Sequence, residues 1–435
     1  MRHVAVMTAT GSIGLVAVFA VDFLSLFWVA RLGSQSLKAA VGYATQLQFI
    51  ALSVSIGLTI AISATVSRAL GAGNRDRARR LAASGLAIAT AIATALAIVM
   101  VLLRDPALTF LLHAKGEPAE VASRFLLIAM PANIAFSLAM AFTGALRAVG
   151  DARRAMYVTL SGGVITAFTD PLLIFGFGLG VYGAAWAIVI SRLVMLAVGI
   201  NGAIRVHNMV ARPTLAAIRA DFAPVMGIGV PAILANLAMP VGALYVTRAW
   251  SDFGVDAVTG GAVIDRVIPL AFGVVFALTG SIGPILGQNF GARLMDRVQR
   301  AYADALILSV SYALLAWAVL AIAGPAIAAM FDVTGDAASF VVFFCRYGVS
   351  AWLFITCLFV ANTVFNNLGQ PILATLFNWG RATLGTVPCV ILGARWGGVE
   401  GAIIGIGVGA AIFGLAATGL GFVVVGRLAR TVRPK

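Results

Sequence analysis

The sequence predicts an all-α polytopic membrane protein of twelve transmembrane helices, in two six-helix lobes related by a parallel internal repeat. Three observations carry this. Hydrophobic residues make up 61% of the 435 positions and charged residues 11%, whereas soluble domains run at roughly 25% charged. Apolar runs recur from end to end, each enough to cross a hydrocarbon core of about 30 Å with about 20 residues. A set of short motifs then returns in order at about half the chain length. A membrane barrel is excluded, because it would show alternating strands of about ten residues.

The expected span cores are 7–30, 39–67, 81–103, 122–146, 155–177, 181–204, 223–249, 258–287, 302–330, 338–367, 372–394 and 398–426. The first run is too long for a signal-peptide core and reads as a retained helix. Net charge is +14, and its placement speaks for topology rather than nucleic acid. With the N-terminus inside, 19 Lys and Arg fall in inside segments and 8 in outside ones. That asymmetry follows the positive-inside rule and places both termini in the cytoplasm. The longest connection, Arg205–Asp221, is basic, contains Pro213 and lies at mid-chain. It divides a lobe at 1–212 from a lobe at 213–435.

The repeat is read from ordered matches. Leu70-Gly71 returns as Leu286-Gly287 at an offset of 216, and Asp76-Arg77 as Asp296-Arg297 at 220. Gly150 returns as Gly369 at 219, and the Gly180–Ala184 turn as Gly398–Ala402 at 218. Gly33 pairs with Gly254 at 221. Six spans per half is even, so both halves enter from the same side and are related by an axis along the membrane normal. Transporters built this way place substrate near the midplane, between the halves.

The chemistry-bearing residues are few. Asp170 sits inside the apolar stretch VITAFTDPLLI and is followed by Pro171, whose ring presses on the carbonyl of Ala167. Thr166 stands one helical turn before it, on the same face. Asp22, in AVDFLSLFWVA, is a second acid within a span. An ionisable group in hydrocarbon marks an ion or substrate path by default, and two acids in one pocket titrate as a pair. Asp265 is followed by Arg266 and reads as a locally compensated charge. Arg192 and Arg381 read as lining water or reaching a carbonyl-rich helix end. Gln46, Asn133, Asn236 and Asn362 are in-span polar residues that can line a cavity.

Gly178-Leu-Gly-Val-Tyr-Gly183 fits a dinucleotide fingerprint by letter only, since no strand precedes it; it reads as a tight turn. Gly401, Gly405 and Gly409 recur every four residues and mark a close helix contact. Cys345 and Cys357 are too far apart on one helix to bridge. His3, His113 and His207 fall near termini or loops and no H-E-x-x-H occurs, so neither a metal site nor catalytic residues are expected, and the chain reads as no enzyme.

Four stretches together resemble the multidrug and toxic compound extrusion (MATE) transporters. They are VDFLSLFWVARLG around Asp22–Gly33, SRALGAGNRDRARR at Ser67–Arg80 with its repeat GPILGQNFGARLMDRVQR, GALRAVGD at Gly144–Asp151, and DPLLIFGFGLGVYGA at Asp170–Ala184. The resemblance spans the chain and is nearest the DinF-type branch. It implies an antiporter that exports drugs or amphipathic metabolites across the cytoplasmic (inner) membrane by alternating access. It also implies no cofactor beyond H⁺ or Na⁺ as coupling ion, a small amphipathic substrate, the lipid bilayer as partner, no nucleic acid, and a monomer. The coupling roles it implies fall on Asp22 and Asp170, with Thr166 where the family often has Asn. Span seven (Phe222–Trp250) lacks the acid of the NorM-type branch, which tilts the coupling ion towards H⁺. The first-span proline is also missing. A Na⁺-coupled exporter and a lipid-linked precursor flippase of the related superfamily stay open as alternatives.

Overall fold

The computed structural model describes residues 8, 12, 14, 21, 24, 25, 28, 29, 31, 32, 34–112 and 114–431. Every regular element among them is helical. The chain packs as two compact units, one formed by Thr10–Ile233 and the other by Leu234–Lys435 with Met1–Ala9. The unit boundary falls inside a long helix, beyond the 212/213 position expected from the linker.

In the first unit, helices α1 (Gln35–Gly71), α2 (Arg75–Leu102), α3 (Glu117–Ala129), α4 (Ala132–Ala148), α5 (Ala152–Pro171) and α6 (Val181–Ile200) follow in order. Helix α7 (Leu215–Ser251) begins in this unit and ends in the next. Side-chain caps set several starts. Asn74 Oδ1 accepts the Arg77 N–H at 2.8 Å, and Asp151 Oδ1 accepts the Arg154 N–H at 2.9 Å, each satisfying a donor the helix leaves open. Helices α3 and α4 are one span bent by 50°, at Pro131, which has no amide to continue the ladder. The core joins Leu58, Ile62, Leu81, Phe142 and Leu146 to Val225 and Ile228 of α7. Leu47, Phe125, Leu126 and Ile174 form a second cluster.

The second unit takes the rest of α7, then α8 (Val255–Gly291), α9 (Met295–Met330), α10 (Gly335–Arg346), α11 (Ala351–Asn367), α12 (Pro371–Gly380) and α13 (Val387–Thr431). Phe272 stacks on Trp352 with ring centroids 4.5 Å apart at the centre of one cluster. Ile282, Tyr302 and Val364 anchor another. Among the described residues, nine helical runs are long and apolar enough to span a membrane, or ten with the bent pair. One of them, Pro371–Thr431, is 61 residues long and turns at Gly397–Gly398, so it holds two of the expected spans. The first expected span falls mostly outside the described residues.

The repeat is visible in the backbone. Gly180 has φ 56° and ψ −138°, and Gly398 has φ 58° and ψ −139°. Only glycine enters that region freely. The fingerprint-like stretch is thus a turn before α6, as its repeat is before the second arm of α13. The Gly401, Gly405 and Gly409 stripe faces the first arm. A Cβ on each would lie 2.8, 2.7 and 2.5 Å from the carbonyl carbons of Gly393, Cys389 and Gly385. Gly405→Val is expected to cost about 1–3 kcal/mol through forced separation of the arms. Gly419→Val, whose added Cβ meets nothing within 4 Å, should stay within about 0.5 kcal/mol of wild type. Thermal unfolding in detergent distinguishes them.

Asp151 does more than cap α5. Its Oδ2 also accepts from Arg154 Nη1 at 2.5 Å and from His207 Nε2 at 2.7 Å. Burial works to raise its pKa, but the Arg154 backbone N–H, the His207 ring and the Arg154 guanidinium outweigh it and hold the carboxyl below the usual range. A depressed folded pKa adds stability that is present above the unfolded value and lost as pH falls through the folded one. The excess stability of wild type over Asp151→Asn should therefore be full at neutral pH and vanish in acid, below the ordinary Asp range of about 4. Parallel melts from pH 7 downward check this.

Candidate functional site

Asp170 is 1% exposed, in the last turn of α5. Helix α5 is drawn against α6 at Gly162, where a Cβ would lie 2.7 Å from Met195 Cγ. Ser191 of α6 donates to the Gly162 carbonyl at 2.9 Å. Immediately after Asp170, Pro171 ends the α-helical ladder, and the chain continues as a wider π-helical turn, Leu172–Gly176. The acid thus lies where the backbone is locally unwound, as its sequence neighbourhood suggested. Ser25 Oγ donates to Asp170 Oδ2. No ion pair to Asp170 occurs among the described residues. Asp22 lies outside the described residues, three positions before Ser25 in the sequence.

The other expected site residues are placed less centrally. Thr166 is half-buried, and its hydroxyl donates to the Gly162 carbonyl at 3.0 Å; no bond joins it to Asp170. Gln46 is exposed on α1. Asn133 is buried at the start of α4, with Nδ2 3.2 Å from Met130 Sδ. Asn236 and Asn362 belong to the second unit and are half-buried. The Asn362 Oδ1 is buried without a protein partner. Asp265 and Arg266 are both exposed on α8 and make no ion pair among the described residues. Consecutive helical residues point about 100° apart, so the compensated pair expected from their adjacency does not form.

Two contacts were not legible beforehand. Ser25 is one, since nothing in its local sequence singles it out. The other is the set of partners of Arg192. Its Nη1 donates to the Ala129 carbonyl at 3.0 Å, its Nη2 to Gln48 Oε1 at 2.8 Å, and its guanidinium lies 5.4 Å from the Phe136 ring centroid. The Asn133 N–H, which a regular helix would direct at Ala129, bonds Met130 instead. The Pro131 bend frees the Ala129 carbonyl, and Arg192 takes it up. This meets the expectation of an arginine reaching a carbonyl-rich helix end. Two of its donors serve structure in this way.

A bundle of long apolar helices with a buried acid beside a helix break, and no ion pair to that acid among the described residues, is the build of a membrane transport protein. The comparisons place it further. The family model described as MatE matches residues 12–172 and again 231–391, and the chain belongs to this MATE family of transporters. It is therefore a multi-pass membrane transporter and not an enzyme. The two matches start 219 residues apart, within the range of the offsets read from the motifs.

Among curated relatives, the FAD transporter of Shewanella oneidensis is 25% identical over 94% of this chain and 92% of its own length. The probable multidrug resistance protein NorM of Thermotoga maritima is 26% identical over 65% of this chain and 62% of its own length. A 21 kDa protein of Pseudomonas savastanoi is 36% identical over 159 residues, 37% of this chain, and the chain spans about half, 53%, of that protein. The crystal structure of the Vibrio cholerae MATE transporter VcmN superposes with a TM-score of 0.93 at 24% identity, covering 99% of this chain and 97% of that one. This likeness shows the shared fold.

The Arg192 node yields a stability expectation. Intramembrane hydrogen bonds are worth about 0.6–2 kcal/mol each. Arg192→Met, which removes two, should lower the thermal midpoint about twice as far as Gln48→Leu, which removes one. Equal midpoints for wild type and Arg192→Met would show that the freed carbonyl is satisfied otherwise.

Proposed function

We propose that the protein is a proton-coupled antiporter that exports drugs or amphipathic metabolites across the cytoplasmic membrane, with both termini inside. Asp170 carries the coupling proton, Ser25 holds its carboxyl, and Asp22 is its partner acid. The observation that carries the reading is Asp170 itself: 1% exposed, inside a span, and bonded to a neutral hydroxyl. A carboxylate in hydrocarbon costs several kcal/mol unless paired with a cation or a metal. With no Lys, Arg or His paired to it among the described residues, uptake of a proton relieves that cost and gives the site a second state. The spacing of Asp22 and Ser25, three residues apart, is that of one helix face. This supports placing both acids in one pocket, with the first lobe as the seat of coupling.

Protonation from outside would favour the state that releases substrate outward, and deprotonation inside would reset it. A ligand shifts such an equilibrium only by its differential affinity for the two states. Thr166 fits a supporting role, because its hydroxyl proton is directed to Gly162 while its lone pairs remain. Gln46, Asn133, Asn236 and Asn362 are the polar residues to test for substrate contact, the unpartnered Asn362 oxygen first. A monomer suffices for this cycle.

On substrate, the relative matched nearly end to end is named as an FAD transporter, which favours including a flavin dinucleotide among the cargoes tested. The lipid-linked flippase reading needs a strongly cationic cavity. Arg192 does not serve it, since its guanidinium is bonded to Gln48 and Ala129.

The test is transport by the reconstituted protein in vesicles under an imposed pH gradient, with amphipathic cations and FAD as cargoes. Asp170→Asn and Asp22→Asn should each slow proton-driven transport by about tenfold or more, within the range that couplings of about 1–3 kcal/mol produce. Ser25→Ala should retain transport with a displaced pH profile. Undiminished proton-driven transport by both Asp variants would sink the assignment. A response to a Na⁺ gradient alone would move the coupling ion to Na⁺.

A further inference from the structure

The connection Arg205–Asp221 reads in the sequence as a linker, yet it is bonded along its length to the first unit. Arg75 Nη2 donates to the His207 carbonyl at 2.8 Å, and Arg79 Nη2 to Asn208 Oδ1 at 2.9 Å. The Ala211 N–H donates to the Arg79 carbonyl at 3.2 Å. Arg80 grips the Asp221 carboxylate through Nε at 3.2 Å and Nη2 at 3.0 Å, and Ser84 Oγ donates to it at 2.8 Å. Asp221 is 3% exposed. Arg75, Arg79, Arg80 and Ser84 all stand on α2: Arg75 and Arg79 are one turn apart on one side, Arg80 and Ser84 one turn apart further round, so together they cover about half of the helix circumference.

Beyond Asp221 the chain remains with this unit. Val225 and Ile228 enter the core around Leu58 and Ile62. A Cβ on Gly57 of α1 would lie 2.6 Å from the Ile233 nitrogen and 2.8 Å from its Cα, so the two backbones touch there. The unit ends at Ile233, within α7 and just after Pro231.

The repeat supplies a control. At the offset of 220 that matches Asp76-Arg77 to Asp296-Arg297, Arg75 and Arg79 correspond to Met295 and Gln299. Arg80 corresponds to Arg300, which is exposed and makes no side-chain bond among the described residues. The gripping residues are thus a property of the first repeat, the one whose last span leads into a connection between the halves.

We infer that Arg75, Arg79, Arg80 and Ser84 are positioning residues that fasten the connecting segment and the first turns of α7 to the first lobe. The flexing point between the halves during transport then lies inside α7 after Ile233, and the cytoplasmic segment is no free tether. The fastening stands on the bonds above. Its role in transport rests on the antiporter reading.

Spin labels at the exposed positions Arg77 and Arg212 of the full-length protein in lipid nanodiscs read the fastening directly. One narrow distance distribution, unchanged between acid and neutral pH and with or without an amphipathic cation, is expected. A broad or state-dependent distribution in wild type overturns the proposal, whatever the protein transports. Arg80→Gln should broaden the distribution and lower the transport kcat about fivefold, the small end of coupling effects, at unchanged KM. Arg80→Asp combined with Asp221→Arg should restore both, which a merely destabilised fold would not do. Arg75→Gln, which removes a single bond, serves if Arg80→Gln does not fold, and should broaden the distribution less. A narrow distribution with no transport of any cargo would refute the antiporter reading and leave the fastening standing. A narrow distribution in Arg80→Gln with unchanged kcat would refute the positioning role.

Discussion

Hydrocarbon offers no hydrogen-bond partners, so every polar backbone group in a span has to be satisfied by the chain itself. The rest of the structure depends on this constraint. Long unbroken helices meet it along most of their length, and many Ser and Thr side chains meet it for themselves. Ser55 bonds the Ala51 carbonyl, Thr59 the Ser55 carbonyl and Thr166 the Gly162 carbonyl, each on its own helix. The protons of such hydroxyls are spoken for, which leaves these groups as acceptors only. The places where the ladder is interrupted need a partner from elsewhere, and there the informative chemistry gathers. At Pro131 the partner is Arg192, which reaches from α6. At Pro171 the helix widens, and the acid that precedes the break is buried against a hydroxyl from the first span.

The two halves share this architecture without sharing its chemistry. The Gly180 and Gly398 turns superimpose in dihedral angles to within a few degrees, and Gly150 and Gly369 match at φ 87° and 85°. Backbone geometry has therefore been kept through the repeat. Side-chain chemistry has not. The stretch VPCVILGAR around Pro388 carries no acid where its counterpart carries Asp170, and Met295 and Gln299 stand where Arg75 and Arg79 grip the connection. A duplicated scaffold can diverge in this way because each repeat satisfies its own backbone. The polar side chains that remain are free to specialise.

What could be read in advance follows the same division. Span positions, the repeat and the small-residue seam at Gly401, Gly405 and Gly409 were legible, because hydropathy and spacing are local properties of one helix. Asp170 was legible because a charge in an apolar run is conspicuous by itself. Ser25 was not, since one serine among apolar residues says nothing about an acid 145 positions away. Arg192 could be assigned a kind of partner, a carbonyl-rich helix end, but not the Ala129 carbonyl, which becomes available only through the bend at Pro131. Thr166 stands one turn before Asp170 on α5, as its spacing implies. Which way its hydroxyl turned was settled by the nearest backbone carbonyl. The division between the halves was read from a polar, basic stretch, while the packing boundary lies within α7, because polarity marks where a chain meets water and not which core it joins.

Two buried acids of the first unit show how environment separates structure from switching. Asp221 meets Arg80 and Ser84. A guanidinium offers donors only, so both Arg80 bonds run into the Asp221 carboxyl oxygens, and the Ser84 hydroxyl is directed there as well. Asp170 meets Ser25 instead. A hydroxyl is both donor and acceptor: it can give its proton to a carboxylate and, by rotating, receive one from a carboxylic acid. At Asp221 the arginine donors hold the carboxyl in place, as a fastening requires. The Asp170 site can be satisfied in two states, which is the minimum a residue needs if it is to take up a proton on one side of a membrane and yield it on the other without tearing the helices apart.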